Sequence, residues 1–170
     1  MANSVAFITG GASGLGESAA RVLARNGYNV FLFDMNDERA IQVGKEIESD
    51  NPGVKTGYFV GDVTSEEDVK NAFDKAQQLG TLRAIVNSAG IGAAWKTVDS
   101  KGKPMDLAAF SRVLAINLTG TFNVSRIGAS YLVQHSPKTS DNLRGVIINV
   151  ASVAAFDGQI GQGLFYFFYF

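Results

Sequence analysis

Short apolar runs alternate along this chain with longer stretches in which apolar positions recur every three or four residues. Ser4 to Thr9 is an apolar run of the length a buried parallel strand needs. It breaks at Gly10-Gly11-Ala12-Ser13-Gly14-Leu15-Gly16, and a helical pattern runs from there to Asn26 through Ala19, Ala20, Val22, Leu23 and Ala24. Gly27 ends that helix, as a glycine able to take positive φ does. Asn29 to Phe33 is the next buried run, with Asp34 at its carboxyl end.

The pattern then repeats. Asn36 or Asp37 caps a helix to about Ser49, whose inner stripe is Ala40, Ile41, Val43, Gly44 and Ile47. Asn51-Pro52-Gly53 is a turn, and Thr56 to Val60 is a third strand leading into Gly61-Asp62-Val63. Thr64 or Ser65 caps a helix that begins with three acids and buries Val69, Ala72, Phe73, Ala76 and Leu79. Gly80 closes it, and the strand Leu82 to Val86 runs into Asn87-Ser88-Ala89-Gly90. Residues 91–105 read as a loop with its tip at 99–104, a length that suits either a functional loop or disorder. Asp106 caps a long helical stretch reaching about His135, and Gly145 to Val150 is a fifth strand with Ala151-Ser152 at its end.

Strands and helices alternating at these lengths imply right-handed parallel βαβ units. The expected fold is therefore α/β: one domain with a Rossmann-type, doubly wound parallel sheet. Ligands of such sheets bind outside the carboxyl ends of the strands. The glycine loop, Asp34, Asp62 and Asn87-Ser88-Ala89-Gly90 all fall there, which argues for one extended nucleotide site.

Glycines let a backbone approach a pyrophosphate without a Cβ in the way, and the helix that follows aims its unpaired N–H groups at the phosphates. An acid about 20 residues further on accepts hydrogen bonds from the adenosine ribose hydroxyls. It also repels a 2′-phosphate, so Asp34 favours NAD over NADP.

Composition narrows the picture. The chain of 170 residues carries 46% hydrophobic residues and a net charge of −1, suiting one globular domain without a basic face for nucleic acid or a polybasic membrane segment. With no cysteine there can be no disulfide, thiolate metal site or cysteine nucleophile, and no metal site is expected. No apolar run reaches the ~20 residues of a membrane helix. A first strand beginning almost at Met1 leaves no room for a signal peptide, so a cytoplasmic location is expected. His135 reads as a cation at a helix end, and Phe7, Phe31, Phe33 and Phe59 read as core.

Thr9-Gly10-x-x-x-Gly14-x-Gly16 departs from G-x-G-x-x-G and resembles the spacing of the short-chain dehydrogenase/reductases. Asn87-Ser88-Ala89-Gly90 resembles that family's Asn-Asn-Ala-Gly, Asn117 falls on its central-helix Asn, and Ser152 on its catalytic Ser. Within the family, the loop 91–105 and the segment 144–159 look most like the type 2 3-hydroxyacyl-CoA dehydrogenases. The resemblance implies hydride transfer between NAD and a secondary alcohol or ketone, namely a 3-hydroxyacyl-CoA or a hydroxysteroid. It implies that Gly10, Ser13, Leu15 and Gly16 hold the pyrophosphate and Asp34 the adenosine ribose. Asp62 and Val63 would flank the adenine, and Ser88, Ala89 and Gly90 the nicotinamide side. Ser152 would bond the substrate oxygen, and Asn117 would anchor a water in a proton relay. It further implies homotetramers and, as an alternative location, the mitochondrial matrix.

The family's reaction needs a Tyr as acid–base and a Lys four residues later that lowers its pKa. No Tyr-x-x-x-Lys occurs in this chain; counted from Ser152, the two positions fall on Phe165 and Tyr169. The resemblance stops at about Gln162, leaving residues 1–162 as a partial, C-terminally incomplete NAD-binding domain and 163–170 as an aromatic tail. A truncated or mis-spliced product, or a gene-model error, is the expected explanation. Three alternatives to an active dehydrogenase stand beside it. One is a catalytically inactive NAD-binding fragment, and another an aggregation-prone fragment with an open apolar sheet edge. The third, an S-adenosylmethionine methyltransferase, shares the glycine loop and acid, but the Thr9–Gly16 and Asn87–Gly90 motifs argue against it.

Overall fold

The computed structural model describes residues 3–92 and 95–156. Five parallel strands lie in the order β3-β2-β1-β4-β5: β1 (Ser4–Thr9), β2 (Asn29–Asp34), β3 (Thr56–Val60), β4 (Thr81–Asn87) and β5 (Val146–Asn149). The helices between them are α1 (Gly14–Arg25), α2 (Asp37–Asp50), α3 (Glu66–Ala76), α4 (Leu107–Leu114) and α5 (Thr121–His135). This is the expected doubly wound sheet, and its strand order reverses direction at β1.

Alternation along each strand sorts the core into two layers. Val5 and Phe7 of β1, with Phe31, Phe33 and Ile85, pack against Phe73 of α3 and Val124 and Ile127 of α5. Ala6 and Ile8, with Val30, Leu32, Ala84 and Val86, pack against Ala20 and Ala24 of α1 and Val43 and Ile47 of α2. Phe7 is fully buried and stacks on Phe73 at 4.1 Å and on Phe31 at 5.6 Å. Phe59 is half-buried and stacks on Phe33. Burying such a ring is worth about 1.5–3 kcal/mol.

The alternative caps resolve in favour of Asn36, whose side chain accepts from Arg39 N–H, and Ser65, which accepts from Asp68 N–H. Asp106 accepts from Ala108 N–H at the start of α4. Gly27 follows α1 at φ +80°, and His135 lies in the last turn of α5. Val22 and Ile41 depart from the helical pattern: Val22 is exposed and Ile41 only half-buried, because each lies beside the stripe its neighbours turn inward.

Three boundaries differ from expectation. β4 extends by one residue at each end, since Asn87 still pairs with Thr9 on one side and Asn149 on the other. β5 is shorter by one at each end. The long helix is not continuous α: residues Ala115–Gly120 form a π turn between α4 and α5.

The segment after β4 also carries more structure than a bare loop. Val98 and Pro104 form an antiparallel bridge, Asp99 and Lys103 are joined by a backbone bond, and Asp99 Oδ1 accepts from the N–H groups of Lys101 and Lys103. Among the described residues no helix is long and apolar enough to cross a membrane, and no cluster of His, Asp or Glu is placed to hold a metal. Phe165, Tyr169 and the 163–170 tail lie outside the described residues.

Candidate nucleotide site

The reversal of strand order at β1 opens a crevice between the loops that follow β1 and β4. A cavity of about 420 Å³ occupies it, running from Asp34 and Met35 past Gly10, Ser13, Gly14 and Leu15 to Ser88–Ile91 and Val150. Asp62 and Val63 line the same cavity. Nine of the expected cofactor residues thus surround one space, although Gly10 and Gly90 are 80 positions apart in sequence.

Two glycines give the loop its shape. Gly10 stands at φ +64°, and a Cβ there would lie 2.9 Å from Ala89 N, so the loops after β1 and β4 touch through bare backbone. Gly16 is buried, and a Cβ on it would fall 2.1 Å from the Gly10 carbonyl oxygen. Gly16 therefore does not line the cavity with Gly10, Ser13 and Leu15. It lies behind them and lets α1 approach the loop, because the close packing of helix on loop leaves it no open side.

Thr9 clamps the two loops from below: its buried Oγ1 accepts from Ser88 N–H at 3.1 Å and Ala89 N–H at 3.0 Å. Beside it, Asn87 Nδ2 donates to Asn149 Oδ1 at 2.8 Å and to Ser125 Oγ at 2.9 Å, tying β4 to β5 and α5. Thr9 was visible in sequence only as a motif letter. Its function as an acceptor depends on parallel pairing that sets Thr9 opposite Asn87.

Asp34 sits where β2 ends, and both carboxylate oxygens are anchored. Oδ2 accepts from Ala12 N–H and Oδ1 from Asn36 N–H, each at 3.0 Å. A carboxylate has about four lone-pair positions, so both oxygens keep acceptor capacity. Asp62 is likewise tethered, accepting from Thr64 N–H at 2.8 Å while it lines the cavity.

Ser13 precedes α1 in the N-cap position, yet its side chain makes no capping bond. Ser13, Gly14 and Leu15 line the cavity where α1 begins, and a helix start with unpaired N–H groups and an uncommitted serine hydroxyl suits a pyrophosphate. A cleft walled by an acid at the end of β2, a glycine loop at the start of α1 and the loop after β4 fits a dinucleotide.

Asn117 and Ser152 are placed differently. The Asn117 amide pairs with the Ile91 backbone, accepting from its N–H at 2.9 Å and donating to its carbonyl at 3.0 Å. Its side chain holds the π turn to the loop after β4, so an anchored water would have to use another group or its remaining capacity. Ser152 follows β5 and its Oγ accepts from Ala154 N–H at 3.2 Å; among the described residues it is not part of the cavity wall, whereas Val150 is. Sequence reading missed Phe33, Met35, Ile91, Arg112 and Ile116 as wall residues. Among the described residues Arg112 is the only cationic side chain on the wall, and no spacing signal in α4 marks it out.

A profile of the short chain dehydrogenase family matches residues 4–166. The chain is 44% identical over 165 residues to a Drosophila melanogaster 3-hydroxyacyl-CoA dehydrogenase type-2, covering 96% of this chain and 62% of that relative. It is 44% identical over 163 residues to the Homo sapiens protein of the same name, covering 95% and 60%. The crystal structure of a 3-hydroxyacyl-CoA dehydrogenase type-2 from Mycobacterium avium superposes with a TM-score of 0.88 at 32% identity, covering 96% of this chain and 62% of that one. The chain thus spans about 60% of the length of these relatives. With the glycine loop, the strand order and the cleft in agreement, the chain belongs to the short-chain dehydrogenase family.

Proposed function

We propose that this chain binds NAD across the cleft and forms the cofactor half of an oxidoreductase. Its reaction would interconvert a secondary alcohol and a ketone, with a 3-hydroxyacyl-CoA or a hydroxysteroid as substrate class. The observation that carries the choice of NAD is Asp34, held at the cavity wall by two backbone N–H groups with its carboxylate left able to accept from ribose hydroxyls.

Gly10, Ser13 and Leu15 hold the pyrophosphate, with Gly16 shaping the loop behind them. Asp62 and Val63 border the adenine, and Ser88, Ala89 and Gly90 border the nicotinamide. When bound, the nicotinamide supplies a hydride acceptor or donor. Ser152 orients the substrate oxygen by hydrogen bonding, and Asn117 keeps the π turn docked against Ile91. The substrate class is supported by the names of the similar proteins and by a second cavity. That cavity, about 740 Å³, is lined by Trp95, Pro104 and Met105, apolar surface for an acyl carrier, with Lys96 and Lys103 balanced by Asp99 and Asp106.

A second reading, NAD binding without turnover, is favoured by one specific feature: Phe165 and Tyr169 stand where the reaction needs Tyr and Lys. Titration calorimetry with NAD tests the shared part, and an absence of heat from a folded sample rules out both readings. Reduction of a 3-ketoacyl-CoA by NADH separates them, since the second reading requires binding with no consumption of NADH.

A further inference from the structure

The rim of the cleft beside Asp34 is closed by a ring of hydrogen bonds joining the starts of α1 and α2. Asp34 accepts from Ala12 N–H and Asn36 N–H. Asn36 Oδ1 accepts from Arg39 N–H at 3.0 Å, and the Arg39 guanidinium donates to Glu17 Oε2 at 2.8 Å. Glu17 N–H then donates to the Ser13 carbonyl at 3.0 Å, returning the ring to the glycine loop. The other Glu17 oxygen accepts from Nε and Nη2 of Arg21 at 3.0 and 2.8 Å, and Arg21 in turn pairs with Glu46.

Glu17 therefore carries two guanidinium groups on one half-buried carboxylate. Burial alone would raise its pKa, but hydrogen bonds from Arg21 and Arg39 outweigh that and hold the carboxyl below its ordinary value. It is a fixed negative charge at neutral pH.

A 2′-phosphate on the adenosine ribose would bring up to two negative charges to the Asp34 end of the cleft. Arginine is the side chain suited to receive it, through its planar fork of donors. Arg39 is the arginine that the ring links to Asp34 through Asn36, and its guanidinium is engaged by Glu17. We propose that Glu17 is a specificity-determining residue for the dinucleotide. By holding Arg39 against α1, it denies a 2′-phosphate its cation and reinforces the preference for NAD set by Asp34. This rests on the reading of Asp34 as the ribose-binding acid. Glu17 lies outside both the glycine spacing and the strand-end acid on which that reading was built.

Neutralising Glu17 removes one negative charge from the rim and frees one positive charge in the same place. Asp34 stays, so the expected outcome is a relaxed preference and not a reversed one. The test is calorimetric titration of the full chain, E17Q and E17Q/R39Q with NAD and, separately, NADP at one ionic strength. E17Q is expected to lower the ratio Kd(NADP)/Kd(NAD) about fivefold, the factor that roughly 1 kcal/mol delivers, mainly through tighter NADP. The double variant is expected to restore the parent ratio, because the gain depends on Arg39.

An unchanged ratio in E17Q, including equal weakening of both ligands as a purely structural role would produce, overturns the proposal. So does a gain that survives R39Q. If the parent chain binds neither dinucleotide, the nucleotide site itself fails and the proposal with it. If the parent binds NAD and only the E17Q ratio stays unmoved, the site stands and Glu17 is excluded.

Discussion

The middle of the sheet and its β5 edge are built to different standards. At the β1–β2 side, strand residues from Val5 to Ile8 and from Val30 to Phe33 are at most 2% exposed, covered by helices on both faces. At the β5 side, Val146 and Ile148 remain 48% and 49% exposed, and Phe156 beyond them 91%. Most groups read as holding the cofactor follow the buried strands β1, β2 and β4, with Asp62 and Val63 after the half-exposed edge strand β3, while Ser152 lies past the exposed β5. Most of the proposed binding groups thus rest on a finished core, whereas Ser152, proposed to orient the substrate oxygen, follows a strand whose Val146 and Ile148 are about half exposed.

The sharpest way to break this contrast is to truncate one apolar side chain on each side. Phe7→Ala is expected to cost about 4 kcal/mol of unfolding free energy, because the ring is fully buried between Phe73 and Phe31. Ile148→Ala is expected to cost less than about 1 kcal/mol, since half of its side chain is already in solvent. Urea unfolding of both variants measures the difference; equal costs would show that β5 is as well covered as β1.

Gly16→Ala comes next, with an expected loss of about 2–3 kcal/mol, because its Cβ would fall 2.1 Å from the Gly10 carbonyl and the loop would have to shift. NAD affinity should fall with it, and a variant that keeps both stability and affinity would refute the tight loop–helix approach.

Acid should act on the α1–α2 side through Glu17. Its folded pKa lies below the ordinary 4.5, so the pairing stabilises the fold above the unfolded value and is lost as pH falls through the folded one. Unfolding free energy should therefore fall less steeply in Glu17→Gln than in the parent as pH drops below the unfolded value, by of order 1 kcal/mol. Parallel pH profiles for the two proteins would contradict this.

The smallest stability effect is expected for Ser13→Ala. An N-cap serine usually contributes about 1 kcal/mol, but this one makes no capping bond, so the change should stay within about 0.5 kcal/mol. NAD affinity, by contrast, should drop about fivefold, as for a lost hydrogen bond of roughly 1 kcal/mol. A melting temperature that falls while affinity holds would reverse the assignment of that hydroxyl.

Local signals in the sequence were enough for the strands, the cap at Asp106, the choice of Asn36 or Asp37 and of Thr64 or Ser65 for two others, and nine of the residues that line the cleft. Each depends on one residue's neighbours: an apolar run between breakers, a capping side chain before a helix, a glycine where φ must be positive. Asp34 and the glycine loop were legible because the βαβ unit holds them at a set spacing, so short-range pattern already implied their proximity.

Tertiary structure alone decided the rest. Gly16 moved from the wall to the space behind the loop because a carbonyl of the same loop lies against it. Asn117 lost its side chain to the Ile91 backbone, 26 positions away, and the helix carrying it relaxed into a π turn. Thr9 became a clamp and Arg39 a captive of Glu17 only once parallel strands and crossing helices brought distant groups within 3 Å. The sequence by itself determined which elements form and where the cofactor chemistry lies, since those follow from local sterics and periodic burial. Which side chains are already engaged, and so withheld from a ligand, was set by long-range contacts that periodicity does not encode.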